Sequence, residues 1–240
     1  MEWKKMTLLY TQKLEACLRD RGNRQIKPAM EAYQRNQFPF LGIRSPELAV
    51  LLRAFWQEEG LPAADELLIV VAELWALPER EYHYAAMQLL EKRRKLLTPQ
   101  SLALLERLIV DKAWWDTVDL LASQTVGGLL LRHPELIDDA VARWMASGHM
   151  WLQRTALLFQ LKYKQRTDTE LLFDCIRRLA GSREFFIRKA IGWALREYAK
   201  TDAAAVRAFV ASVELSPLSV REALKRVASA EPTNELDNIG

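Results

Sequence analysis

The chain has 240 residues, half of them hydrophobic and only 9 of them Gly, and its 34 Lys+Arg against 31 Asp+Glu give a net charge of +3. Leu, Ala, Glu, Arg and Lys fill long stretches, which favours helix throughout, and no apolar run reaches the roughly 18 residues of a membrane span. Two distant cysteines (Cys17, Cys175) and three scattered histidines (His83, His133, His149) argue against a CxxC, disulfide or zinc framework.

The N-terminus, MEWKKMTLLYTQKLEACLRD, is interrupted by charge and does not read as a secretory signal, so the expected location is the cytoplasm, with reduced thiols. In chain order the spacing predicts helices over 3–20, 26–36, 46–58, 63–76, 79–95, 99–111, 114–131, 134–146, 151–165, 168–180, 184–200, 203–213 and 217–229. Ser45-Pro46-Glu47 and Thr98-Pro99 read as capped starts, and Pro78, Pro134 and Pro217 mark others. No useful period-2 strand pattern interrupts them.

The chain also repeats. WLQRTALL from Trp151, FFIRKAIG from Phe185 and LSVREALK from Leu218 align Arg154, Arg188 and Arg221 in one column, spaced by 34 and 33 residues. Ala156, Ala190 and Ala223 form a second column, and Trp114 precedes Trp151 by 37 residues. A period in the thirties with two helices per unit predicts an all-α solenoid of antiparallel helix pairs. One domain is expected over 1–229, with a polar tail at 230–240 that should fray. One helix of each pair lines the concave face of such a stack. Residues 151–228 hold 15 Lys+Arg against 8 Asp+Glu, while 1–150 balance at −1, which suggests a polyanion partner.

Within 114–131, Trp114, Val118, Leu121, Ala122 and Thr125 form an apolar stripe. Trp115 falls on the other side, one turn before Asp119 and two before Ser123. A ring with a carboxylate above it is not what packing alone would place there, and a seam between repeats beside a solvated charge is the alternative. On 184–200 the apolar stripe is Ile187, Ala190, Ile191, Ala194 and Tyr198. Trp193 lies off it with Phe186, Lys189, Arg196 and Lys200. Aromatics among cations suit a nucleic-acid backbone, and cation–π packing within the surface is the alternative. On 151–165, Leu152, Ala156, Phe159 and Tyr163 face the core. Arg154 and Lys162 project from the opposite arc, as phosphate contacts or as ordinary surface charges. Lys92-Arg93-Arg94-Lys95 reads as a solvated helix end.

No GxGxxG, GxxxxGK[ST], HExxH or GxSxG motif is present, and no close carboxylate pair stands out. Chemistry here must run on tryptophan faces, one carboxylate and basic side chains.

The segments FPFLGIRSPE (38–47), ELWALPEREY (73–82), KAWWDTVD (112–119), WLQRTALLFQLKYK (151–164) and EFFIRKAIGWALREYAK (184–200) together resemble the AlkD family of DNA alkylation-repair glycosylases. The resemblance implies a HEAT-like solenoid that holds duplex DNA in its concave groove. It also implies an enzyme that releases N3- and N7-alkylated purines by hydrolysing the N-glycosidic bond, with no metal or nucleotide cofactor and no base flipped into a pocket; a monomer is the expected state. The family's catalytic tryptophan and aspartate fall on Trp115 and Asp119, and its second site tryptophan on Trp193. Its groove arginine matches Arg154, its tyrosine near the lesion Tyr33, and a phosphate-contacting lysine Lys162. Lys189 and Arg196 join the DNA-binding set through the face they share with Trp193. Residues 1–25, the tail and Arg44 are least family-like. A non-catalytic helical-repeat module that binds DNA or protein is the competing expectation.

Overall fold

The computed structural model describes residues 2–225, with side chains from residue 7 onward. Among the described residues there are fourteen α-helices and no strand. They fall into two compact units that divide after Leu121. The expected tail at 230–240 and the end of the helix expected at 217–229 lie outside the described residues.

The first unit holds α1 (Glu2–Asp20), α2 (Lys27–Tyr33), α3 (Ser45–Glu58), α4 (Leu67–Ala76), α5 (Arg80–Lys92), α6 (Leu102–Val110) and α7 (Trp115–Leu120). Alternate helices stack, α3 on α5 and α5 on α7, with α1 and α6 against α4. Leu52, Leu74, Leu90 and Leu105 are fully buried between them, each burial being worth about 1.5–3 kcal/mol. The second unit holds α8 (Gly127–Arg132), α9 (Ile137–Ala146), α10 (Met150–Leu158), α11 (Thr169–Leu179), α12 (Phe185–Tyr198), α13 (Ala203–Ser212) and α14 (Pro217–Leu224). The three helices that carry the repeated motif, α10, α12 and α14, stack one on the next, as repeat units must to bury faces that no single hairpin can bury. This α-solenoid-like arrangement is the expected fold class. None of the described helices is long and apolar enough to cross a membrane.

Local chemistry explains the boundaries. Asp168 accepts from Leu171 N (3.0 Å), Asp202 from Ala205 N (2.8 Å) and Ser216 from Ser219 N (3.1 Å), capping α11, α13 and α14; each cap contributes about 1 kcal/mol. Thr98 N donates to Ser101 Oγ at 3.1 Å. Ser45 does not cap as expected: Arg44 is the N-cap of α3, without a side-chain bond, and Ser45 is already helical.

Two predicted helices differ more. The one expected over 114–131 is broken by a π-helical segment, Leu121–Val126. Its wider turn rotates the residues beyond Leu120, so Ser123 is buried instead of extending the Trp115 face. Just beyond, a Cβ on Gly127 would sit 2.2 Å from the Phe159 carbonyl, and the Tyr163 hydroxyl donates to Gly127 O at 2.7 Å. The helix expected over 151–165 ends at Leu158, and Lys164 adopts a left-handed φ of 54°.

Candidate functional site

In the first unit the site is built on a buried polar base at the head of α7. Arg80, fully buried, finds an acceptor for each of its five N–H groups. Nε and Nη2 grip Asp116 Oδ2 and Oδ1 at 3.0 and 2.6 Å. Nη2 also reaches Thr117 Oγ1 (2.9 Å), and Nη1 reaches Lys112 O (2.8 Å) and His83 Nδ1 (3.2 Å). The guanidinium carbon lies 3.8 Å from the centre of the Phe38 ring. Tyr84 adds a 2.6 Å hydrogen bond to Asp116 Oδ2. Burial and then the Asp116 charge push its hydroxyl pKa well up, so it stays a donor.

The next residue, Glu81, is also fully buried and accepts from the backbone N–H groups of Leu41, Gly42 and Ile43 at 2.9, 2.9 and 3.0 Å. Gly42 has φ 93°, and a Cβ there would lie 2.1 Å from Asn23 O, so only glycine fits this loop. Arg80 and Glu81 thus tie the 38–44 loop and the start of α7 to α5.

His83 belongs to the same network. Because Arg80 can only donate, Nδ1 accepts and the ring proton sits on Nε2, 3.0 Å from Leu77 O. Burial, then the Arg80 charge, lower its pKa to about 3. An unfolded histidine titrates near 6.5, so between those values the unfolded chain binds the extra proton. Stability is therefore lost as pH falls through that window, by at most about 1.4 kcal/mol per pH unit from this group. The urea midpoint of the wild type should drop between about pH 7 and about pH 5, and the drop should shrink in His83→Gln. Equal slopes for the two proteins would remove His83 as the cause.

On this base α7 carries Trp115 in its first turn and Asp119 one turn on, both half-buried. The Trp115 ring meets Tyr33 edge-on, centroids 6.0 Å apart at 75°, and Tyr33 is 71% exposed. Two expected site residues from α2 and α7 are thereby brought together.

In the second unit Trp193 is half-buried on α12, on the same face as Lys189 and Arg196. Those cations share one carboxylate: Glu222 of α14 lies 3.0 Å from Lys189 Nζ and 2.6 Å from Arg196 Nη1, one oxygen each. Lys189 and then Arg196 hold its carboxyl below the usual carboxylate range. Helix α14 comes this close because Gly192 lacks a side chain; a Cβ there would be 2.5 Å from Glu222 Cβ. Arg154 does not project from the surface as its helical position suggested. It is 4% exposed, bonds the Phe186 carbonyl through Nη1, and lies 5.9 Å from the Phe186 ring centre. Phe186 in turn packs on Trp151 at 5.0 Å. Lys162 is exposed.

Reading the sequence did not find Arg80, Glu81, Tyr84 or Glu222. Arg80, Glu81 and Asp116 stand inside the segments ELWALPEREY and KAWWDTVD, but nothing local marks residues 36 apart as a pair.

Helix pairs stacked within each unit, under a repeated motif, define a helical-repeat protein. The chain belongs to the DNA alkylation repair enzyme family, which it matches over residues 14–227. It is similar to a solved structure from Enterococcus faecalis described as a predicted DNA alkylation repair enzyme, with 32% identity and a TM-score of 0.81 over 87% of this chain and 98% of that one. No curated protein matches it. Its class is thus that of an enzyme of DNA repair.

Proposed function

We propose that the protein is a monofunctional DNA glycosylase that hydrolyses the N-glycosidic bond of N3- and N7-alkylated purines in duplex DNA. The observation that carries this reading is Trp115 and Asp119 one turn apart on a helix whose start is locked by Arg80, in a chain of an alkylation repair family.

Alkylation at N3 or N7 gives the purine a formal positive charge. When the C1′–N bond breaks, its electron pair passes to the ring nitrogen and the base leaves neutral, without a general acid. Positive charge then develops on the deoxyribose. The electron-rich face of Trp115 stabilises it by about 1 kcal/mol, more when desolvated, and the family resemblance gives Trp193 the same role. The Asp119 carboxylate opposes the same charge and accepts the proton of the water whose oxygen bonds to C1′. No base need be extruded into a pocket, because the lesion's own positive charge makes it a leaving group without protein contacts to the base.

The phosphate contacts fall to Lys162, Lys189 and Arg196, with Glu222 holding the last two in place. Arg154 acts from beneath, through the Phe186 carbonyl at the head of α12.

The test is release of 7-methylguanine from methylated duplex. Release above the spontaneous rate is expected, with the neutral adduct 1,N6-ethenoadenine excised at least about 100-fold more slowly, since it lacks the charge that makes a good leaving group. Comparable excision of both lesions sinks the mechanism. No release, with duplex binding that weakens steeply as salt rises, leaves a non-catalytic DNA-binding module.

A further inference from the structure

Two cations of the Trp193 face answer to a single carboxylate. Lys189 and Arg196 stand on α12, and Glu222 of α14 bridges them, Oε1 at 3.0 Å from Lys189 Nζ and Oε2 at 2.6 Å from Arg196 Nη1. Arg196 Nη1 is also 3.5 Å from the Glu222 backbone carbonyl. The Glu222 side chain is 13% exposed, against 37% for Lys189 and 23% for Arg196. An anion arriving from solvent therefore finds the cations more open than the carboxylate behind them.

This arrangement separates hydrogen-bond donors from charge. An ammonium has three N–H groups and a guanidinium five, so the contacts to Glu222 leave most of them for a second anion. The charge is a different matter: two cations less one carboxylate leave a net +1. The carboxylate sits at hydrogen-bond distance, far inside the roughly 10 Å over which salt at about 0.1 M screens. A phosphate seated on this pair would thus lie close to a like charge. Packing fixes the counter-charge in place. Gly192 has no side chain, and a Cβ there would be 2.5 Å from Glu222 Cβ, so α14 can approach only because that space is empty. Ser219 Oγ donates to Arg188 O at 3.0 Å, tying α14 to α12 beside Lys189. Lys189 and then Arg196 keep the Glu222 carboxyl below the usual carboxylate range, so it stays ionised at neutral pH.

We propose that Glu222 is a counter-charge that weakens the hold of this face on DNA and so speeds release of undamaged duplex. The inference rests on Lys189 and Arg196 being phosphate contacts. Net positive charge binds any duplex, damaged or not. A face with its donors fixed and half its charge cancelled keeps the geometry of a phosphate contact while holding non-specific DNA less tightly.

The test is binding of a short unmodified duplex to the full-length protein, followed by fluorescence anisotropy over a salt series. Glu222→Gln keeps the volume beside Gly192 and one acceptor oxygen and removes the charge. It should bind at least about fivefold more tightly at about 0.1 M salt, with a log–log salt slope steeper by about 0.9, the increment for one phosphate neutralised. Glu222→Ala should tighten binding too. Asp174→Asn removes an exposed acid of α11 and should shift the slope by less than about a third of that amount, because a distant exposed charge is screened. Equal or weaker binding by the folded Glu222 variants, or an equal gain in Asp174→Asn, overturns the counter-charge. Lys189→Gln and Arg196→Gln test the reading beneath it, and each should weaken duplex binding. If neither does, the phosphate contacts fail and the counter-charge with them; if both do and Glu222→Gln gains nothing, the contacts stand and only the counter-charge is removed.

Discussion

Asp119→Asn should lower single-turnover release of 7-methylguanine from duplex DNA by roughly 100- to 1,000-fold, the usual cost of deleting one preorganised electrostatic group. Asparagine keeps the volume and the helix position and removes only the charge, so the half-buried site should stay folded. Under the proposed chemistry the carboxylate acts late, when the sugar becomes cationic, and contributes little to ground-state contact with a phosphate backbone that it repels. Duplex affinity should therefore stay within about threefold of wild type, or rise slightly, while the rate falls. The split between rate and affinity is what a merely structural aspartate would not produce. Full activity in the Asn variant would remove Asp119 from the chemistry and leave the family assignment standing.

The parts of this molecule that were legible in the sequence are those decided by neighbours one or two turns away. The repeat column shared by Arg154, Arg188 and Arg221 predicted that their helices are equivalent, and α10, α12 and α14 do stack in succession. Apolar spacing along 184–200 placed Ile187, Ala190, Ile191 and Ala194 in the core, where all four are buried. What failed was inference about the side of a helix facing away from that stripe. Helix α10 is enclosed by α9, α11 and α12, so Trp151 and the run from Arg154 to Leu158 are all buried and a helix has no outer arc to offer Arg154. Lys189 and Arg196 read as free cations because their common counter-charge, Glu222, is 33 and 26 residues away and arrives only through the glycine at 192. Similarly, a helical wheel assumes a constant turn, and the π-helical segment at Leu121–Val126 breaks that assumption at the point where Ser123 leaves the Trp115 face.

Arg80→Met should destabilise the protein by about 3–5 kcal/mol, the range for removing one partner of a buried ion pair. The loss is large because one guanidinium satisfies five acceptors at once. Without it, Asp116 keeps only the Tyr84 hydroxyl among those bonds, its carboxylate is 8% exposed, and its charge is left without a counter-ion. Arg80→Met with Asp116→Leu removes both charges and should recover part of the loss, since a buried pair replaced by apolar groups is often close to neutral. Urea unfolding of the wild type, both single variants and the double variant measures the coupling, and a cost under about 1 kcal/mol for Arg80→Met would show that the pair does not hold α7. The double variant then carries the functional question. It should fold, with Tyr33, Trp115 and Asp119 intact, yet the head of α7 loses its bonds to Arg80 and Tyr84, and with them the fixed approach of Trp115 to Tyr33. Catalysis of this kind depends on placing a ring face and a carboxylate against a sugar to within a fraction of an ångström. Excision by the double variant should accordingly fall by more than about tenfold at temperatures where it remains fully folded, which separates positioning from stability.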